Sequence, residues 1–198
     1  MGLFSEKIIL DLADGDITYF PSFFSEELSN NYFQFLKDSI PWQQDKIKVF
    51  GKVYDQPRLT ALFGDNQNSY SYSGITMQPH VFNPELIQIK ERVEKASNTN
   101  FTSCLLNYYR DGKDSNGWHS DDEKELGINP IIASISFGAS RFFHLRNKVD
   151  KTKKHKILLE NGSLLLMKGA TQHHWQHQIP KTSKPIGGRI NLTFRILK

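Results

Sequence analysis

Cysteine is almost missing from this chain: Cys104 is the single one in 198 residues. No intramolecular disulfide can form, and a cysteine-rich zinc module is excluded. A lone thiol fits a reducing compartment, so we expect an intracellular protein, cytoplasmic in a bacterium and nuclear in a eukaryote. Long apolar runs are missing too. No stretch reaches the roughly 20 apolar residues of a membrane span. The opening MGLFSEKIIL has no basic region ahead of a long apolar run, so neither a span nor a secretory signal is expected. Gly2 is not expected to be myristoylated, because Glu6 stands where that signal needs Ser or Thr. There is no internal repeat, low-complexity tract or Pro/Ser-rich linker, hence no compositional sign of a domain boundary. Nor is there a strong charge excess. Lys+Arg 25 against Asp+Glu 21 leaves a net charge of +4 and a pI near 9.0, a mild bias toward a polyanionic partner.

What is present suffices for one sizeable core: 38% hydrophobic and 12% aromatic residues over 198 positions. We expect one domain over 1–198, and a monomer. Ser25 followed by Glu26 and Glu27, then Tyr32, Phe33, Phe35 and Leu36 at helical spacing, predicts a helix over 25–38. Pro84, with Leu86, Ile87, Ile89 and Val93, predicts another over 84–96. Beyond residue 100 the period changes. Segments 101–109, 131–137, 141–145, 157–159, 163–167 and 189–196 are β-rich and separated by Gly, Asn or Pro. The lysine-rich stretch 148–156 reads as a solvated loop. Helices followed by strands favour an α+β fold, with a double-stranded jelly roll among the few closed solutions of this size.

The last strand pattern carries the most information. Arg189, Asn191, Thr193 and Arg195 alternate with Ile190, Leu192, Phe194 and Ile196, so period two separates a polar from an apolar face. Taken alone, this also describes an ordinary strand with one face in water. The sharper reading is a lined pocket in which two guanidiniums hold a dicarboxylate. Asn107 and Tyr109 share a face of an earlier strand and can complete it. His119 and Asp121 project from one side of an extended segment, enough to start a metal site. His173, His174 and His177 each offer a third ligand. Two His and one carboxylate suit non-haem Fe(II), and zinc tolerates them as well. Spacing chooses neither the third histidine nor the metal.

The ordered blocks N-x-Y, W-H-S-D-D-E, S-I-S-F-G-A-x-R, G-S-L-L-L-M, H-W-x-H-x-I-P and R-I-N-L-T-F-R resemble the AlkB family of alkylation-repair dioxygenases, especially its duplex-DNA-repairing branch. The resemblance spans roughly residues 49–197. It implies a jelly-roll catalytic core over 100–198 and nucleotide-recognition hairpins over 49–80, while residues 1–48, which it does not reach, are read as an N-terminal helical buttress for that core. It also implies Fe(II), 2-oxoglutarate and O₂. The iron ligands it implies are His119, Asp121 and His177, leaving His173 and His174 as loop neighbours. It sets Arg189, helped by Tyr109 and Asn191, on the distal carboxylate of 2-oxoglutarate. Arg195 and Asn107 fall near the chelated end, and Asn191 and Thr193 alternatively only support the arginines. Asp122 and Glu123 would read the flipped base, Tyr72 would stack on it beside Tyr70, and Phe50 would wedge into the vacated stack. Lys52 and Arg58 become candidates for phosphate or base contacts. The implied activity is oxidative demethylation of N-alkylated bases, of the N1-methyladenine and N3-methylcytosine type, in DNA. Single-stranded DNA or RNA as substrate, and a non-catalytic nucleic-acid-binding module, are the alternatives.

Overall fold

The computed structural model describes residues 7–49, 51–66, 70–72 and 75–197, with the side chains at 48, 49, 70–72 and 75 outside that description. In chain order the strands are β1 (Ile8–Ile9), β2 (Asp16–Phe20), β3 (Lys46–Val49), β4 (Lys52–Asp55), β5 (Leu59–Gly64), β6 (Tyr70–Tyr72), β7 (Ile75–Met77), β8 (Ser103–Tyr109), β9 (Asn116–His119), β10 (Ile132–Gly138), β11 (Arg141–Asn147), β12 (Lys154–Leu159), β13 (Ser163–Lys168), β14 (Trp175–Ile179) and β15 (Arg189–Arg195). Three helices accompany them: α1 (Glu26–Ser39), α2 (Pro84–Ser97) and the single turn α3 (Thr171–His174).

Both predicted helices form where their caps place them. The Ser25 hydroxyl accepts from the Leu28 amide, and Glu26 and Glu27 complement the positive end of α1. Asn83 caps α2 by accepting from the Leu86 amide at 2.8 Å, with Pro84 in the first turn and Asn98 closing the helix in the left-handed region. Leu86, Ile89 and Val93 are buried, whereas Ile87, expected on the same face, stands exposed.

The strands make two facing sheets, ordered β1-β2-β13-β10-β15-β8-β5 and β12-β11-β14-β9, and every pairing in them is antiparallel. This is the double-stranded β-helix arrangement, the jelly roll expected from the strand run. The large sheet has two buried faces. Ala133, Ile135, Phe137, Ile190, Leu192 and Phe194 pack beneath α1 and α2. Ile17, Ile132, Leu165 and Met167 face the small sheet's Phe143, Leu145, Trp175 and Ile179. β15 therefore has no wet face: all seven residues are buried, the polar set included.

Three local readings change. Residues 7–20 contribute β1 and β2 to the large sheet, so the N-terminal part is not helical alone. Ile17 and Tyr19 are buried in the intersheet core, but the segment is too short to display a clear period. The lysine-rich stretch turns at 150–152 and then enters β12 at Lys154, where exposed lysines alternate only late with buried Ile157 and Leu159. Two small hairpins, β3-β4 and β6-β7, occupy the segment between α1 and α2, while β5 between them joins the large sheet. Among the described residues no helix is long and apolar enough to cross a membrane.

Candidate metal and cosubstrate site

Facing sheets bring distant segments together at one cavity, lined by His119, Asp121 and His177 together with Asn107, Tyr109, Arg189, Asn191, Thr193 and Arg195. His119 ends β9 and His177 lies across from it in β14, with ring centroids 4.2 Å apart. Asp121 follows β9. Its amide donates to the buried Gln172 Oε1 at 2.9 Å, which fixes the backbone that presents its carboxylate. One ligand atom from each of the three lies within 4.8 Å of the others. Phe143 stacks on the His177 ring at 5.0 Å and limits its rotation. His173 and His174 belong to α3 and stay outside the cluster, so burial and pairing across β9 single out His177 where spacing left three histidines open.

Electrostatics prepares these groups for a cation. Burial depresses the His177 imidazole to about 3, and nearby His119 adds to the effect. Burial likewise lowers His119. Burial alone would raise the Asp121 carboxyl, but Arg195, His177 and His119 hold it below the usual carboxylate range. Two neutral imidazoles and one carboxylate anion are the protonation states a metal needs, so binding displaces no proton at neutral pH. The donor set fits Fe(II) with coordination positions left open for other ligands.

A stability consequence follows for the metal-free protein. The His177 imidazole is depressed in the fold, whereas an unfolded histidine titrates near 6.5. As pH falls below about 6.5 the unfolded chain takes up the proton first, so the stability contributed by neutral His177 is complete above that value and drains away toward pH 3. Melting temperatures of metal-free protein between pH 7.5 and 4 should fall, and fall less steeply in His177→Gln. Equal slopes would remove His177 as the source.

The other end of the cavity is built for a carboxylate. Arg189 is 1% exposed, and its Nη2 donates to Ser136 Oγ at 2.8 Å. Its Nε and Nη1 are buried with no hydrogen-bond partner among the described residues, and burial lowers the guanidinium to about 10. Leaving buried charged donors unmade is costly, so these two nitrogens point to an acceptor that arrives with a ligand. Asn191, expected to assist, has both amide hydrogens engaged by Ser134 Oγ (2.7 Å) and the Ile135 carbonyl (3.0 Å), while its oxygen accepts from Thr193 Oγ1 (3.0 Å). Asn191 and Thr193 thus brace the pocket wall.

Arg195, expected beside the chelated end of a cosubstrate, donates to Asp121 Oδ1 at 2.5 Å and orients that ligand. Arg58, a candidate for phosphate or base contacts, is 4% exposed and donates through Nε to Asn107 Oδ1 at 2.7 Å. The reason is local, since the residues after β4 carry it in beside β8. In this structure the buried side chain supports Asn107.

Just beyond Asp121, Asp122 is exposed and paired with Lys148 at 2.7 Å. Burial pushes the Glu123 carboxyl up, and its Oε2 is buried without a partner among the described residues. Lys52 is exposed on β4, next to Gly51, which turns the hairpin at φ 80°. Phe50 lies outside the described residues, as do the side chains of Tyr70 and Tyr72 on β6. Sequence reasoning missed Gln172, Ser134 and Ser136. The two serines carried a signal, for they alternate in S-I-S-F and sit opposite Thr193 and Asn191. Gln172 carried none.

The model of the 2OG-Fe(II) oxygenase superfamily matches residues 16–195. Alpha-ketoglutarate-dependent dioxygenase alkB homolog 3 of Bos taurus is 44% identical over 184 residues, covering 88% of this chain and 64% of that protein. The chain thus spans just under two thirds of that relative. DNA oxidative demethylase ALKBH2 of Arabidopsis thaliana is 35% identical over 215 residues, covering 95% of this chain and 68% of its own. The structure of OsALKBH1 superposes with a TM-score of 0.66 at 18% identity, over 96% of this chain and all of that one, a likeness of fold.

Proposed function

This chain belongs to the 2OG-Fe(II) oxygenase superfamily and to its AlkB branch, and on that premise we propose that it is a nucleic-acid dealkylase that oxidatively demethylates N-alkylated bases in DNA. The carrying observation is one cavity that joins a metal-ready His119, Asp121 and His177 cluster to the unpartnered Nε and Nη1 of Arg189. Fe(II) bound at the triad, with 2-oxoglutarate and O₂, supplies the oxidation that hydroxylates the N-alkyl carbon as 2-oxoglutarate becomes succinate and CO₂.

The chain's own groups set the geometry. Arg189 and Tyr109 would receive the distal carboxylate of 2-oxoglutarate, in the cavity they share with the triad. Arg195 keeps the Asp121 carboxylate ionised and oriented. The half-buried Glu123, with its unpartnered Oε2, and exposed Asp122 offer acceptors at the rim for an N-alkylated adenine or cytosine, which is cationic or amino-bearing on its pairing edge. After hydroxylation of a methyl group the hemiaminal collapses to formaldehyde and the restored base. No protein nucleophile is needed, in keeping with the fully buried Cys104.

Duplex DNA is the favoured substrate in this reading because the β3-β4 hairpin offers exposed Val53 and Tyr54 near its turn, one on each face, apolar side chains suited to a disturbed base stack. The test measures formaldehyde and succinate release with Fe(II), ascorbate and 2-oxoglutarate on methylated duplex and single-stranded oligonucleotides, with Phe50→Ala in parallel. Repair of the duplex, reduced by that substitution, is the expected result. Repair of single strands or RNA alone would remove the wedge, and no turnover on any nucleic acid despite metal loading would overturn the substrate class.

A further inference from the structure

Arg141, at the start of β11 and 3% exposed, uses its guanidinium on three backbone carbonyls: Asp111 (3.2 Å), Asp114 (2.9 Å) and Pro180 (2.6 Å). Those carbonyls belong to two loops. One runs from Tyr109 toward β9 and His119; the other runs from β14 and His177 to Arg189. The loops also touch directly, through the Thr182 amide donating to the Gly112 carbonyl at 2.8 Å. The approach is close enough that a Cβ on Gly112 would meet the Thr182 carbonyl oxygen at 2.5 Å. Arg110 stiffens the first loop with a two-pronged pair to Asp114, at 2.7 and 2.9 Å.

Arg141 also faces the cavity wall. Its guanidinium carbon lies 5.7 Å from the Tyr109 ring centroid, and that of Arg189 lies 5.3 Å from the same ring. Two buried cations therefore share one aromatic ring, and each disfavours the other unless an anion arrives between them.

We infer that Arg141 is a positioning residue that holds Tyr109 and Arg189 at the distal end of the cavity and makes the site selective for 2-oxo acids bearing a second carboxylate. This rests on the reading that Arg189 and Tyr109 receive the distal carboxylate of 2-oxoglutarate. A 2-oxo acid with a methyl terminus leaves the Arg189 donors unmet and the repulsion between Arg189 and Arg141 unrelieved. A carboxylate terminus satisfies them together. Arg141 touches neither metal ligand nor reacting atoms; it acts through the ring, the field and the two loops.

The experiment titrates 2-oxoglutarate and 2-oxopentanoate, which lacks the second carboxylate, into Mn(II)-loaded protein by calorimetry. Preference of the parent for 2-oxoglutarate, lost in Arg189→Met, tests the underlying reading by itself. In Arg141→Gln, 2-oxoglutarate should bind roughly 10- to 100-fold more weakly, the range seen when groups supporting a binding shell are removed, while 2-oxopentanoate changes little. The ratio between the two acids therefore narrows. Arg141→Lys, which keeps the charge and loses the fork, should lie between. A ratio equal to that of the parent, whether both affinities persist or fall together, overturns the inference and leaves Arg141 a loop staple. Should Arg141→Gln lack a native circular dichroism spectrum, the same ratio is read in Arg141→Lys, where an unchanged value overturns it equally.

Discussion

Asp121→Ala is expected to stop turnover, lowering succinate release by more than about 100-fold. Removing groups that merely orient a metal ligand already costs up to that much, and this carboxylate is the only anion in the triad. The same change acts on the fold. Asp121 and Arg195 are 2% and 4% exposed and meet at 2.5 Å, and breaking a buried pair from one side costs about 3–5 kcal/mol. Denaturant unfolding of metal-free protein should show the loss, and Asp121→Asn, which keeps an oxygen for Arg195, should recover part of the stability and none of the turnover. Turnover near the parent level in Asp121→Ala would place the metal elsewhere.

Arg189→Met separates binding from stability in the opposite way. Arg189 of the parent protein carries two buried guanidinium nitrogens without partners among the described residues, so an apolar side chain of comparable length removes an unmet cost, and the melting temperature of the cosubstrate-free protein should hold or rise. Binding should collapse. Removing one side of a desolvated charge pair costs about 2–5 kcal/mol, which places the rise in KM for 2-oxoglutarate at roughly 30-fold or more. A variant less stable than the parent, with unchanged KM, would mean that Arg189 is structural and that the distal carboxylate binds elsewhere.

Much of this site was legible because β strands write their faces into sequence. Arg189, Asn191, Thr193 and Arg195 declared a common face by alternation, and so did Asn107 and Tyr109. What alternation could not say was whether water or a second sheet covers that face, because burial belongs to the partner layer. The third histidine was hidden for a related reason: His173, His174 and His177 differ in which lies opposite His119, a fact of pairing across 58 residues of chain. The caps at Ser25 and Asn83 made the helices easy to place, since their signals are local. Arg58, Arg141 and Gln172 were hard. Each is a polar side chain drawn inside by carbonyls or amides from remote segments, and a single chain of letters gives such residues the appearance of surface ones. Ile17 and Tyr19 in β2 failed differently, being too few to show a period.

β15 lies between β10 and β8 in the large sheet, and that placement couples catalysis to folding fidelity. A slip of one residue would turn Ile190, Leu192 and Phe194 toward the cavity and drive four polar side chains under the helices, so the error is rejected by the core itself. A slip of two residues preserves both faces. The apolar packing would barely notice, yet Asn191 would then stand opposite Tyr109 in place of Arg189. The antiparallel partners on both sides, with Ser136 held by Asn191 in register and by Arg189 through its hydroxyl, act as a vernier that the hydrophobic pattern lacks. Strand alignment in this protein is thus set by the same polar groups that line the cavity.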